Sequence, residues 1–119
     1  MNIKTVCSFF LVIIGTMCLL SAPCTALEPE EILVVANRNA ARSVGLAKYY
    51  MKKRGIPKEN LIKLWVTDRE RCSRMDYDKK IAAPVRRYIE KNEFKGRIRC
   101  LVLMYGLPLK VAAPELNIE

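Results

Sequence analysis

The chain has 119 residues, of which 51% are apolar and 28% charged, with 21 Lys+Arg against 12 Asp+Glu and a formal net charge of +9. That balance excludes disordered and collagen-like classes and allows one globular domain at most. There is no histidine, which removes Ser-His and Cys-His nucleophile pairs and the usual zinc clusters from the chemistry this chain can carry.

The apolar fraction is concentrated at the amino terminus. Val6 to Leu20 (VCSFFLVIIGTMCLL) runs without a charge behind a single Lys4, and Ser21-Ala22-Pro23-Cys24-Thr25-Ala26 follows with mostly small side chains. A short basic start, an apolar core and a small-x-small site form the pattern of a secretion signal, so residues 1–26 are expected to be removed after Ala26. The run is short for a permanent span, since crossing the hydrocarbon needs about 20 apolar residues. Two alternatives stay open: an uncleaved anchor, and a lipoprotein acylated on Cys24. The second is opposed by Pro23 directly before the cysteine and by Ser21 where leucine is usual.

Loss of Lys4 with the signal lowers Lys+Arg from 21 to 20 against 12 Asp+Glu, a net +8. For an exported protein such a surplus points to anionic lipid or acidic polysaccharide before nucleic acid, and spread along the chain it also reads as a solvated basic surface. Cys7, Cys18 and Cys24 fall in the signal, so Cys72 and Cys100 are the cysteines left to meet an oxidising compartment. Cys100 is expected early in a buried strand and Cys72 beyond the far end of another, which opposes a disulfide, and Cys100 reads as a small buried hydrophobe.

In the mature part, Glu30 to Ala36 (EEILVVA) is a continuous apolar run after an acidic lead-in, rich in β-branched residues, and reads as a strand buried on both faces. Asn37-Arg38-Asn39 ends it, and Asn39 is placed to cap the next helix. In that helix Val44, Ala47, Tyr50 and Met51 recur at spacings of three and four. Lys52, Lys53 and Arg54 suit its carboxyl end, Gly55 its left-handed terminus, and Pro57 its stop. Leu61 to Thr67 (LIKLWVT) reads as a second strand, followed by a polar exit from Asp68 to Arg71. Ser73 with Asp76 opens a short helix. Pro84 breaks or kinks it and begins a second helical piece whose Val85, Tyr88 and Ile89 face the core. Gly96 ends that piece. Ile98 to Tyr105 is the third strand, closed by Gly106-Leu107-Pro108, and the segment from Lys110 to Glu119 shows no periodicity.

The order β-α-β-α-β with helical crossovers predicts an α/β fold, three layers around a short parallel sheet with right-handed connections. Residues 27–111 form this partial α/β domain and 112–119 an irregular tail. Three strands are few for such a fold, so the chain reads as part of a larger domain. Ligands of open parallel sheets bind beyond the carboxyl ends of the strands. The candidate binding residues are therefore Asn37, Arg38 and Asn39, then Thr67 and Asp68, then Tyr105 and Gly106. Each has an ordinary structural reading as well: Asn39 as a cap, Asp68 as a turn residue, Tyr105 as core edge. The first strand leads into NRNAARS, not a glycine-rich phosphate loop. No cofactor, metal site or complete catalytic set is expected from these residues.

The stretches ILVVANRN, SVGLAKYYMKKRGIPKENL and IRCLVLMYGLPLKV together resemble the amino-terminal part of a family of exported bacterial proteins found in genomes that also carry exosortase-type sorting systems. The resemblance covers residues 27–111. Members of that family are several times longer and have no established activity, so it implies compartment and fold and carries over no catalytic residue. A looser similarity is to caspase-like and gingipain-like cysteine peptidases, in which a hydrophobic strand also leads into a helix ending near a K-x-R-G-type turn. The third strand here ends in YGLPL with no histidine, and no cysteine follows it. Two functions follow as expectations: an exported domain that binds cell-envelope polymer or a protein partner, or the amino-terminal piece of a peptidase-like hydrolase without its catalytic half.

Overall fold

The computed structural model describes residues 2–4 and 26–114. The apolar run expected to be a signal, with Cys24, and the last five residues of the tail lie outside the described residues. Ala26 and Leu27, on either side of the expected cleavage point, are exposed.

Strand β1, Ile32–Asn37, is the centre of a three-stranded sheet. It is followed by helix α1, Ser43–Arg54, and strand β2, Leu61–Leu64. A helical run of three parts comes next: α2, Arg74–Asp76, a π-helical segment, Tyr77–Ala82, and α3, Ala83–Lys91. The third strand of the sheet, Cys100–Leu103, is here β4, because a two-residue strand β3, Arg71–Cys72, precedes the helical run. The sheet order is β2-β1-β4 with both pairings parallel, from Val34 opposite Leu61 and from Ile32 opposite Cys100. The α/β class with a parallel sheet, expected from the alternation of elements, is the observed fold.

Alternating residues of β1 divide the core into two layers. Leu33 and Val35 pack with Ile62 and Leu64 of β2, Val85 of α3 and Phe94. Val34 and Ala36 pack on the other face with Ala47 and Met51 of α1, Ile56 and Met104. Helices thus cover both faces. Leu33, Val34 and Val35 are completely buried, and each contributes roughly 1.5–3 kcal/mol of transfer free energy.

The helix signals act as their chemistry requires. Gly55 closes α1 at φ 67° with its amide donating to the Met51 carbonyl, behind Lys52, Lys53 and Arg54. The Ser73 hydroxyl accepts from the Asp76 amide at 3.0 Å. Pro84 widens the helix rather than interrupting it. It stands near the start of α3, and the Ala83 amide bonds five residues back to the Asp78 carbonyl. This π-type spacing absorbs the donor that proline lacks. Val85 is buried, and Tyr88 and Ile89 pack against the same layer.

Several expectations need correction. Both outer strands are shorter than their apolar runs, each pairing with four of the six residues of β1. Leu61–Thr67 pairs only as far as Leu64, and Ile98–Tyr105 only over Cys100–Leu103. Asn39 does not cap α1. The helix begins after Arg42, in the left-handed region at φ 71°, without a side-chain cap. Lys110–Val111, at the start of the stretch without periodicity, forms β5 and pairs in parallel with β3. Cys72 and Cys100 are both free thiols, as expected, but Cys72 is the buried one. Cys100 is half-buried because β4 is an edge strand.

Candidate functional site

At the carboxyl ends of the strands the structure gathers backbone rather than chemistry. Asn37, the last residue of β1, is completely buried. Its Nδ2 donates to the Gly106 carbonyl at 2.7 Å and the Thr67 carbonyl at 3.3 Å. Its Oδ1 accepts from the amides of Asn39 at 3.0 Å and Val66 at 3.3 Å. Its own amide donates to the Ser43 hydroxyl at 3.0 Å. One side chain therefore ties the exits of all three strands, and every one of its hydrogen-bonding groups is spent. The bond to Asn39 closes an Asx turn, which carries the chain through Ala40-Ala41-Arg42 before α1 can start.

Helices α1 and α3 leave on opposite faces, so the crevice of such a sheet would open between β1 and β4. Gly106 closes it. It sits at φ 85°, and a side-chain carbon there would overlap Ala40 Cβ. Around this plug Arg38, Asn39 and Asp68 are exposed, and Tyr105 is 71% exposed. Thr67 is half-buried, its hydroxyl accepting from the Arg69 amide at 3.3 Å. Among the described residues, the side chains of Arg38, Asn39, Asp68 and Tyr105 form no hydrogen bond with one another. Of the residues singled out in the sequence, Asn37, Thr67 and Gly106 are thus brought together, as scaffold, and the others stand apart on the surface.

A concave surface lies elsewhere, between α1 and the outer edge of the sheet. It is an open groove of about 980 Å³. Lys48 and Lys52 line it from α1, Lys58 from the turn and Lys63 from β2. Met51, Ile56, Pro57 and Leu61 supply its apolar surface. No carboxylate is among its lining residues, and among the described residues none of the four lysines forms an ion pair. Helix α1 adds to the field, since its sequence SVGLAKYYMKKR has basic residues and no acidic one. Lys48 and Lys52 stand four apart, a like-charge spacing that mildly disfavours a helix. The one signal of the groove in the sequence is Lys63, a charge inside the apolar strand LIKLW. A smaller groove of about 520 Å³, lined among others by Ser73, Arg74 and Asp78, is of mixed charge, with Arg74 paired to Asp78 at 3.1 Å.

Titration is displaced away from both places. The Glu31 carboxyl, before β1, is held below its usual range by the Glu28 amide and then by the Arg99 guanidinium. Asp76 is lowered chiefly by Lys80, whose ammonium is 2.8 Å away. Burial, followed by the charge of Glu59, raises the Tyr88 phenol, whose hydroxyl donates to the Glu59 carbonyl at 2.7 Å. These contacts fasten chain segments to one another. Among the described residues no group of three or more metal-ligating side chains is assembled, and no helix is long and apolar enough to cross a membrane.

Fold and surface together define a small α/β domain with a closed strand-end crevice and a basic groove. Comparison with protein-family models, curated proteins and solved structures finds no match to this chain.

Proposed function

We propose that the chain is an exported, non-catalytic domain that binds an anionic component of the cell envelope. The observation that carries this reading is the groove in which Lys48, Lys52, Lys58 and Lys63 face open space without a carboxylate partner. Unpaired like charges around a concavity cost stability and raise the local concentration of a counter-charged ligand. Export is supported by the Val6–Leu20 run with its small-x-small site and by the resemblance to exported bacterial proteins. No observation at the strand ends favours the alternative, an amino-terminal piece of a peptidase-like hydrolase without its catalytic half.

Fractionation of expressing cells tests the proposal. The protein is expected in the envelope fraction with Leu27 as its first residue, released by salt without detergent. Recovery from the cytosol with Met1 intact, or with a lipid on Cys24, contradicts it.

A further inference from the structure

We infer that the groove between α1 and β2 takes a linear polysaccharide bearing carboxylates, an inference that rests on the reading of the chain as a binder of envelope anions. Three features select this class. All four cations are lysines, compact point charges that attract the anions spaced along a charged chain, carboxylate and phosphate alike, so the choice between them rests on shape and on the groove's other surfaces. Lys48 and Lys52, one turn apart on α1, are offset by about 6 Å along the helix axis, comparable to the advance of one sugar unit in an extended polymer. The apolar surface of Met51, Ile56 and Leu61 offers the C–H faces of sugar rings a contact that a bare phosphate chain has no means to use. Finally, β2 lies at the edge of the sheet, paired among the described residues with β1 alone. The Leu61 carbonyl accepts from the Tyr88 hydroxyl at 3.3 Å, and the other outward groups of the strand are left for sugar hydroxyls.

Shape favours a polymer chain over a bilayer. The cations surround a concavity rather than a plane. The exposed leucines of the sheet, Leu101 and Leu103, follow Leu33 and Val35 in register and so belong to the opposite face. Trp65 continues the alternation after Lys63 and is 66% exposed. As the chain's one tryptophan, it is a built-in reporter near this end of β2.

The test is calorimetric titration of the exported protein with polygalacturonate, alongside polyphosphate, neutral dextran and phosphatidylglycerol vesicles. Two variants with the same loss of charge are compared: K48Q/K52Q/K58Q/K63Q in the groove, and R86Q/R87Q/K91Q/K95Q on exposed positions beyond it. The groove variant is expected to bind polygalacturonate about thirtyfold more weakly, about 2 kcal/mol, and the distal variant within about twofold of wild type, with circular dichroism unchanged in both. Trp65 emission is expected to shift on binding in wild type and in the distal variant alike, and in the groove variant only at correspondingly higher polymer concentration.

Equal weakening in the two variants overturns the groove and leaves envelope-anion binding through dispersed charge. Tighter binding to polyphosphate or to vesicles overturns the polysaccharide class. No binding by wild type to any anion overturns both this inference and the proposed function.

Discussion

The side-chain amide of Asn37 donates to the Gly106 carbonyl at 2.7 Å, across 69 residues of chain. With the bonds to Thr67, Val66 and Asn39, it makes one buried residue the common tie of the three strand exits. Asn37→Ala strands several buried polar groups and is expected to cost about 2–4 kcal/mol in urea unfolding. Asn37→Asp keeps the shape but cannot donate to the Gly106 and Thr67 carbonyls when ionised. Its deficit should therefore shrink as pH falls and the new carboxyl protonates. A near-neutral Asn37→Ala would show that the tie contributes little.

Gly106 is required for two separable reasons, its positive φ and its contact with Ala40. Gly106→Ala is expected to destabilise by about 2 kcal/mol or more. Adding Ala40→Gly removes the overlap but not the backbone strain, so the double variant should recover part of the loss. Full recovery would assign the whole cost to the contact, and no recovery would assign it to φ.

Glu31 and Asp76 both titrate below their usual values of 4.5 and 3.8. A carboxyl whose folded value is lowered contributes stability that is present above the unfolded value and lost as pH falls through the folded one. Stability should therefore be level above about pH 4.5 with respect to these groups and decline below it. Arg99→Gln removes the second cause of the Glu31 displacement and leaves the first, the Glu28 amide. A partial upward shift of Glu31 is expected in carboxyl NMR titration, with little change in stability because the pair is exposed. An unmoved Glu31 would mean that the amide holds it alone.

Leu101 and Leu103 are 46% and 59% exposed on the edge strand β4. An open apolar edge invites pairing with other chains. Leu103→Lys is expected to reduce concentration-dependent association in light scattering and to leave the unfolding midpoint almost unchanged. A large loss of stability would mean that Leu103 is covered in solution.

Periodicity and punctuation made most of the elements legible: the run ILVVA, the α1 face of Val44, Ala47 and Met51, the Gly55 stop, the Ser73 cap and the proline-disturbed helix. Strand lengths were not legible, because they depend on which residues pair with β1 rather than on the apolar runs of β2 and β4. The role of Asn37 was half legible. Its place at the strand exit follows from pattern, but its bonds to residues 30 and 69 positions away are tertiary facts. Asn39 looked like the cap because caps favour asparagine, and the Asx turn from Asn37 displaced the helix start. The groove was hidden because its lysines come from three successive elements, each ordinary as a solvated charge, and only folding sets them around one space.

The most direct measurement is the affinity of the purified protein for an acidic polysaccharide as ionic strength is raised. Screening shortens from about 10 Å at 0.1 M to about 3 Å at 1 M salt. Binding through the unpaired lysines should therefore weaken steeply, and the neutral form of the same polymer should not bind. Equal affinity for the acidic and neutral polymers, or an affinity indifferent to salt, would contradict a domain that works by capturing envelope anions.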